Sequence, residues 1–515
     1  MKDLLLQMSH ITKIYPNGVM ANEDVDFSVR TGEIHALMGE NGAGKSTLMN
    51  ILYGEHQPES GEIRLRGEAV RIGSPKEAIG LGIGMVHQHF MLVPSMTVAQ
   101  NIFLGMEPKK NGFVDKKEML KEAEALAEKY NFKINCKARI ADIPVGMKQK
   151  VEILKALARG AKILILDEPT AVLTPQETQE LFRELMAFKD KGHTIIFISH
   201  KLKEIRQICD RITIMKSGRS IGTYDMEGMD EQQISRLMVG RDVVKAVDKT
   251  PAKPGETVLS VKNLSCVNED GKHAVKNISL KVRRGEILGI AGVEGNGQAE
   301  FIESITGMRR DYQGSVSICG TDIRGRNILE IRHTGVSHIP EDRMTVGVAV
   351  DASISDNLIA DKLGEPLIGN GPFLSKRKIR ALSEDLVQKF QIKCKSPAQE
   401  VGMLSGGNMQ KVVVAREFSG NPKLMVADQP SRGVDVGAME FIHKKLVEIR
   451  DSGAAVLLVS ADLNEVMELS DSLAVFYGGE VAAYFENSKD VTEEELGYYM
   501  LGIKKQTAEQ LEKLM

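Results

Sequence analysis

The sequence lacks the features that would indicate several large classes of protein. Its 515 residues carry 67 Lys and Arg against 70 Asp and Glu, a formal net charge of −3, so we expect no nucleic-acid partner. It has no run of about 18 apolar residues, so no membrane-spanning helix is predicted. The N-terminal stretch Met-Lys-Asp-Leu-Leu-Leu-Gln has too short an apolar core for a signal peptide. The five cysteines are scattered without a Cys-x-x-Cys pair, which is typical of reduced packing residues in the cytosol.

What the sequence does contain is a loop that occurs twice. Gly-Glu-Asn-Gly-Ala-Gly-Lys-Ser, residues 39–46, follows the apolar strand Ile34–Met38 and matches the phosphate-binding pattern Gly-x4-Gly-Lys-Ser/Thr. After Ile287–Ala291 the loop returns as Gly-Val-Glu-Gly-Asn-Gly-Gln-Ala, starting 253 positions after Gly39. The second copy has therefore lost the lysine and the hydroxyl residue of the pattern.

The repeat extends over both halves of the chain and predicts two domains. Asp167 pairs with Asp428 and Gly146 with Gly407, both at an offset of 261, so the second half contains a net insertion of eight residues. A chain of this length is too long for one core. We predict a first domain at 1–245, a polar, Pro-bearing linker at 246–256, a second domain at 257–503 and a tail at 504–515.

The first half carries residues suited to ATP hydrolysis. Lys45 offers a cation to the β- and γ-phosphates, and Ser46 offers a hydroxyl to Mg²⁺. Ile163–Leu166 reads as a buried parallel strand that ends at two carboxylates, where α/β sheets place ligands. Asp167 is suited to orient Mg²⁺ through water and Glu168 to act as general base. The alternative, a chance match to a short pattern, is disfavoured by the strand–loop–helix context.

Three further residues fit the same chemistry but have ordinary structural alternatives. Gln88 and His200 each follow an apolar strand, where an amide can reach Mg²⁺ and the attacking water and an imidazole can reach the γ-phosphate. A lone histidine is more often structural than catalytic. Tyr15 precedes the phosphate loop and can stack on adenine, although an isolated tyrosine is more often a packing residue.

Taken together, these residues in this order resemble the ATP-binding-cassette ATPases over nearly the whole chain. The resemblance implies an α/β fold with two tandem cassettes, each with a mainly parallel core sheet, an antiparallel β part and a helical subdomain. In that family two cassettes sandwich ATP head to tail, between the phosphate loop of one and a Leu-Ser-Gly-Gly-Gln-like helix start of the other. The predicted nucleotide contacts are Tyr15, Gly39, Glu40, Asn41, Gly42, Ala43, Gly44, Lys45, Ser46, Thr47, Ser405, Gly406 and Gly407.

The second half departs from the family at most nucleotide positions but keeps the helix-start segment. The aligned replacements are Tyr15 by Asn268, Lys45 by Gln298, Ser46 by Ala299, Gln88 by Glu341, Glu168 by Gln429 and His200 by Ala461. Leu-Ser-Gly-Gly-Asn at 404–408 remains close to the family form, whereas the first half has Ile-Pro-Val-Gly-Met at 143–147. Head-to-tail pairing then gives one complete site and one in which nearly every part is altered. We predict one hydrolytic site per chain, with ATP and Mg²⁺ as cofactors, and a second site that is structural or regulatory.

The resemblance also implies what the ATPase drives. Without its own membrane span, a transport ATPase works at the cytoplasmic face of the membrane with integral permease subunits and, indirectly, an extracytoplasmic solute-binding protein. Residues 89–98 are apolar and Pro-bearing and correspond to the family's permease groove, although ordinary core packing is the alternative. The pattern resembles importers of nucleosides and of simple sugars such as ribose, galactose or xylose. His-Gln-His at 87–89 and Gln429-Pro430 favour nucleosides. Soluble two-cassette proteins of translation or DNA repair are the distant alternative.

Overall fold

The computed structural model describes residues 3–16, 18–88, 90–199, 201–230, 233–234, 236–237, 249–268, 271–363, 366–370 and 373–514. The chain divides into two compact units, 1–243 and 244–515.

A six-stranded sheet forms the centre of the first unit. Its strands lie in the spatial order Arg219–Asp225, Arg211–Lys216, Ile34–Gly39, Thr194–Ile198, Ile163–Asp167 and Ile83–Val86. The last five are parallel, and the outermost strand, Arg219–Asp225, is antiparallel to its neighbour. Four of them are buried over their whole length, as expected for parallel strands covered on both faces. Their carboxyl ends share one edge, so the segments at 39–46 and 167–168 begin at the same edge, on either side of the strand Thr194–Ile198.

An antiparallel sheet and two groups of helices surround that core. The antiparallel strands lie in the order Met20–Arg30, Leu4–Ile14, Ser60–Leu65 and Glu68–Val70. A short hairpin pairs Lys109–Lys110 with Phe113–Val114. The helices are Lys45–Leu52, Pro75–Gly80, Val98–Ile102, Lys116–Lys129, Ile140–Asp142 (3₁₀), Val145–Ala158, Pro175–Asp190 and Leu202–Ile208. Val98–Ile102, Lys116–Lys129 and Val145–Ala158 pack against one another and form the helical part of this unit.

The second unit repeats this arrangement. Its six-stranded sheet has the order Val336–Ile339, Leu424–Asp428, Ala455–Val459, Ile287–Ala291, Ser472–Tyr477 and Glu480–Phe485, of which only the last is antiparallel to its neighbour. The antiparallel sheet has the order His273–Arg283, Thr257–Val267, Gln313–Ile318 and Thr321–Asp322. A hairpin pairs Gly369–Asn370 with Phe373–Leu374. The predicted α/β class, with parallel, antiparallel and helical parts, is confirmed in both units.

The described helices of the second unit include several segments that follow its last strand. They are Gln298–Thr306, Ile328–His333, Arg343–Gly347 (a π-helical turn), Ile354–Ile359, Lys376–Lys389, Val401–Met403 (3₁₀), Gly406–Ser419, Val436–Asp451, Leu463–Leu469, Ser488–Asp490 (3₁₀), Glu493–Met500, Ala508–Leu511 and Glu512–Leu514 (3₁₀). In the described part of the chain, none of the helices combines the length and the apolar character needed to cross a bilayer.

The segment predicted as a linker is described from residue 249, where it packs on the second unit. Lys249 Nζ donates hydrogen bonds to the carbonyl oxygens of Leu469 and Ser470, at 2.9 and 2.7 Å. Arg450, buried in the same unit, donates from Nη2 to the carbonyl of Thr250 at 2.9 Å. Residues 249 and 250 are therefore bound to the second unit by charged side chains.

The C-terminal tail lies along the edge strand Glu480–Phe485. The Gln506 backbone N–H donates to the carbonyl of Ala482 at 2.9 Å. Its side-chain amide pairs with both backbone groups of Tyr484, accepting from N at 2.8 Å and donating to O at 3.1 Å. Leu514, 3% exposed, belongs to the core of the second unit. The tail is thus anchored both by hydrogen bonds and by a buried side chain.

Candidate functional site

The phosphate-loop motif of the first unit forms a tight turn between the central strand Ile34–Gly39 and the helix Lys45–Leu52. Gly42 and Gly44 have φ of +80° and +93°, a conformation that L side chains rarely adopt. A Cβ on Gly44 would also lie 2.3 Å from the carbonyl oxygen of Ala21. Glycine at this position therefore permits both the turn and the close approach of a neighbouring strand. The helix that follows directs its free N–H groups toward the loop, which favours an anion there.

Lys45 is the cation of this loop and is 6% exposed. Its Nζ donates to the carbonyl oxygens of Gly39 and Glu40 at 2.8 and 3.0 Å. Burial lowers the pKa of the Lys45 ammonium, while the carboxylates of Glu168 and Asp167 act in the opposite direction. The ammonium is thus held inside the loop, next to two carboxylates.

Ser46 and Asp167 meet at the mouth of the loop. Ser46 Oγ donates to Asp167 Oδ2 at 3.1 Å, joining the start of the helix to the end of the strand Ile163–Asp167. Burial and the neighbouring Glu168 raise the pKa of the Asp167 carboxyl, and Ser46 and Lys45 only partly offset them. An additional cation at this point would stabilise the ionised form of Asp167.

Glu168 and Gln88 lie together at the same edge of the sheet. Gln88 Nε2 donates to Glu168 Oε2 at 3.3 Å. Glu168 has a φ of +48°, and its backbone N–H donates to the carbonyl of Ile198 at 3.0 Å. A non-glycine residue in the left-handed region is uncommon and tends to occur at functional sites. The structure therefore brings Gln88, Lys45, Ser46, Asp167 and Glu168 into one group.

Of the other predicted residues, Tyr15 joins the group through Thr47. Its hydroxyl lies 3.2 Å from Thr47 Oγ1, and its ring meets that of His56 edge to face with centroids 5.6 Å apart. This contact ties the half-buried tyrosine to the helix that carries Lys45. His200 lies outside the described residues, so its role stays a prediction.

The oxygen donors of this group suit a hard divalent cation. The described residues contain no group of three or more His, Cys, Asp or Glu positioned to hold a metal. Mg²⁺ is commonly bound by one or two carboxylates together with water and substrate phosphates. Ser46, Asp167 and the amide oxygen of Gln88 provide such a partial set, and a cation held there would lower the raised pKa of Asp167. When bound, Mg²⁺ neutralises charge on the phosphates.

The second unit keeps the backbone shape of this site but not its chemistry. Gly297 has a φ of +96° and Gln429 a φ of +48°, close to the values at Gly44 and Glu168. The Gln298 side chain, however, donates to the carbonyl of Val293 within its own loop at 3.1 Å and supplies no charge. The turn is therefore preserved without the cation that it encloses in the first unit.

Two further altered residues of the second unit, Gln429 and Glu341, make polar contacts within that unit. Gln429 Oε1 accepts a hydrogen bond from the backbone N–H of Ala461 at 3.0 Å, so its amide faces the position aligned with His200. Glu341, aligned with Gln88, forms a salt bridge with Arg432. The side chains of Gln298, Gln429 and Glu341 thus each have a partner within the unit.

Asp428, the counterpart of Asp167, is retained in the second unit, but Gln298 and Ala299 replace the lysine and serine that lie beside Asp167. This predicts a pH-dependent stability. Burial raises the pKa of Asp428 to about 7, whereas an unfolded aspartate titrates near about 4. Between these values the folded protein binds more protons than the unfolded chain, so the free energy of unfolding falls as pH rises through this window. We expect Asp428→Asn, which is neutral throughout, to exceed the parent in stability at pH 8 and to lose that advantage toward pH 4. Urea unfolding across this range measures the difference.

The control for this prediction is the exposed Asp351→Asn of the same unit, which removes a carboxylate without removing buried charge. Parallel pH–stability curves for Asp428→Asn and the parent would contradict the prediction.

The two predicted helix-start segments differ as the sequence suggests. Ser405 caps the helix Gly406–Ser419, its side chain accepting from the backbone N–H of Asn408. In the first unit the corresponding helix, Val145–Ala158, begins after Pro144 and has no side-chain cap. A serine cap leaves a hydroxyl at the helix start, and proline does not.

Asn22 belongs to the site but was missed by the sequence reasoning. It is fully buried, and its Nδ2 donates to the carbonyl of Gly44 at 3.1 Å. It therefore fixes the last turn of the phosphate loop from the strand Met20–Arg30. Its polar type within an alternating strand was the only available signal, because the contact joins segments 22 residues apart.

Comparison with known proteins gives a consistent result. The chain matches the ABC transporter family over residues 22–171 and 275–432. It is 46% identical to the guanosine import ATP-binding protein NupO of Bacillus subtilis over 97% of this chain and 98% of that protein. It is 43% identical to the nucleoside import ATP-binding protein NupA of Lactococcus lactis, with the same coverage. Its identity to the glucose import ATP-binding protein TsgD13 of Haloferax volcanii is 42%, over 97% and 96% of the two chains.

Proposed function

The chain belongs to the ABC transporter family, and on that premise we propose that it is the ATP-hydrolysing subunit of a nucleoside importer. Family members hydrolyse ATP to drive transport. The observation that carries the proposal is the grouping of Lys45, Ser46, Asp167, Glu168 and Gln88 at one sheet edge. This group combines an anion-binding loop, oxygen donors for Mg²⁺ and a carboxylate able to act as general base.

The proposed hydrolytic site also uses the second unit. We infer that the two units pair head to tail, so that Ser405, Gly406 and Gly407 face the γ-phosphate of ATP held by the first unit. The free N–H groups at the start of Gly406–Ser419 and its capping hydroxyl support this role. The opposite site combines Gln298 and Gln429 with the Pro144 segment, and we propose that it does not hydrolyse ATP.

Within the first unit, Ser46, Gln88 and Asp167 are the residues that would hold Mg²⁺, and a bound Mg²⁺ would neutralise charge on the phosphates. Glu168 then activates the attacking water, and Gln88 holds that carboxylate in place through the contact at 3.3 Å. Tyr15 is proposed to stack on adenine, a role supported by its attachment to Thr47. His200 is proposed to contact the γ-phosphate.

Integral permease subunits are the proposed partners at the cytoplasmic face of the membrane, with an extracytoplasmic solute-binding protein acting on the permease. A cavity of about 230 Å³ in the first unit supports this contact, because it is lined by Tyr53, Met85, Met91, Leu104 and Glu152. Met91, in the segment predicted as the permease groove, is 61% exposed. The lining also includes His87, Lys155 and Arg159, so a permease helix end with both apolar and polar side chains suits it.

Nucleosides are the proposed solutes because relatives named for guanosine and nucleoside import match nearly the whole chain, and Gln429-Pro430 favours the same group. Simple sugars are the second candidate, since a relative named for glucose import is almost as similar. Uptake of radiolabelled guanosine, ribose and glucose in cells lacking this gene tests the choice. We expect the parent gene, but not its Glu168→Gln variant, to restore guanosine uptake. Restored uptake of a sugar alone would assign the importer to the second candidate.

A further inference from the structure

The segment Pro-Glu-Asp-Arg at 340–343 follows the strand Val336–Ile339 and has no role in the proposed hydrolysis. Glu341 forms a salt bridge with Arg432. Asp342 accepts hydrogen bonds from the backbone N–H groups of Met344 and Thr345, at 2.8 and 3.1 Å, and so starts the π-helical turn Arg343–Gly347. These contacts fix the backbone on both sides of Arg343.

Arg343 links two loops of the second unit. Its Nη1 donates to the carbonyl of Arg432 at 2.7 Å, and its Nη2 donates to the carbonyl of Gly433 at 3.2 Å. A Cβ on Gly406 would lie 2.9 Å from Nη2, so the guanidinium lies directly against the first residue of the helix Gly406–Ser419. The planar guanidinium therefore fills the space between the loop after strand Leu424–Asp428 and the helix start.

Asp435 lies directly against Gly407, as Arg343 does against Gly406. A Cβ on Gly407 would lie 2.6 Å from Asp435 Oδ2, while Oδ1 accepts from the backbone N–H of Ala438 at 2.8 Å. Both glycines at the helix start are thus seated against charged side chains from other segments. Any side chain on either glycine would displace Arg343 or Asp435.

The first unit lacks both arginines at the aligned positions, although its remaining glycine, Gly146, also lies against a carboxylate, that of Glu177. Phe90 is aligned with Arg343, and Ala171 with Arg432. The arginines therefore occur in the unit whose helix start keeps Ser-Gly-Gly, and are absent from the unit in which that segment is altered. This distribution connects them to the helix start rather than to the altered nucleotide site around them.

We propose that Arg343, itself held by the Glu341–Arg432 salt bridge, is a positioning residue that orients Gly406 and Gly407 toward the ATP bound by the first unit. The inference rests on the proposed head-to-tail pairing. In this arrangement the altered nucleotide site of the second unit serves as the support for the intact helix start.

ATPase kinetics of the full chain test the role of Arg343. We expect Arg343→Gln to lower kcat about 10-fold or more, because misplacing a site element by about 1 Å can cost roughly 100-fold in rate. KM for ATP should change less than about 3-fold, because ground-state ATP binding depends mainly on the first unit. Arg343→Lys, which keeps a charge and one donor, should retain an intermediate kcat. Arg380→Gln, at an exposed arginine of the same unit, is the matched control and should equal the parent.

Two companion variants separate this inference from the proposed function. If Ser405→Ala lowers kcat but Arg343→Gln behaves like Arg380→Gln, the positioning role is wrong and the pairing stands. If Glu168→Gln abolishes turnover while Ser405→Ala and Arg343→Gln both leave it unchanged, the pairing fails and the inference fails with it. If Arg343→Lys and Arg343→Gln lose kcat equally and both have a lowered Tm, Arg343 has only a structural role and the proposed positioning role is wrong.

Discussion

Replacing Glu168 by glutamine is expected to lower the rate of ATP hydrolysis by about 10²–10⁴-fold, the usual contribution of a general base. The amide preserves the size of the side chain but cannot accept a proton from water. The amide oxygen of a glutamine at position 168 can still accept from Gln88 Nε2, so this hydrogen bond can be retained. We therefore expect ATP binding to persist. Phosphate release measured together with binding of a fluorescent ATP analogue separates the two effects.

The second unit provides the reciprocal variant. Gln429→Glu restores the carboxylate at the aligned position, where the backbone already has the same φ of +48°. We expect little gain in turnover, because Gln298 and Ala299 still lack the ammonium and the hydroxyl. Turnover that survives in Glu168→Gln and disappears on replacing Gln429 would reverse the assignment of the hydrolytic site.

Replacing Lys45 by glutamine, the residue at the aligned position of the second unit, is expected to weaken ATP binding by about 10- to 100-fold. Hydrogen bonds to charged groups contribute roughly 1.5–3 kcal/mol each, and 1.4 kcal/mol corresponds to about tenfold in affinity. The variant also removes the cation that lies beside Asp167 and Glu168, two carboxylates already close together. Titration with ATP in a Glu168→Gln background, where hydrolysis is suppressed, measures the dissociation constant.

Gln298→Lys is the matched control for this second prediction. The loop backbone is nearly the same, since Gly297 and Gly44 have φ of +96° and +93°. Even so, we expect no new high-affinity site, because Ala299 still lacks the hydroxyl suited to Mg²⁺ and Asn268 the ring suited to adenine. Unchanged ATP affinity in Lys45→Gln would show that binding does not depend on the first loop.

The sequence was sufficient for the fold and for most of the candidate site, for identifiable reasons. Apolar runs such as Ile163–Leu166 predict buried parallel strands, and residues at their carboxyl ends meet at one edge. The groups around Lys45 and Glu168 were predicted on this basis and lie together as expected. The aligned losses in the second half followed from the repeat alone.

Other features depend on contacts that no local pattern reveals. Asn22 reaches Gly44 from a different sheet, and Arg343 reaches Gly433 across 90 residues. The pairing of Glu341 with Arg432 also could not be predicted, since a substitution shows which residue is lost but not where its replacement points. Such long-range polar contacts are set by tertiary packing rather than by periodicity.

The anchored tail has a consequence for the exposed edge of the second unit's central sheet. Glu480–Phe485 is the outermost strand of its sheet, and a bare outer strand offers a row of free amides and carbonyls to any other extended chain. Gln506 hydrogen-bonds to both backbone groups of Tyr484 through its side chain and to the carbonyl of Ala482 through its backbone N–H. These are bonds that a residue of an additional strand would otherwise make. Gln506 thus occupies edge groups at Ala482 and Tyr484 with which another extended chain would otherwise pair.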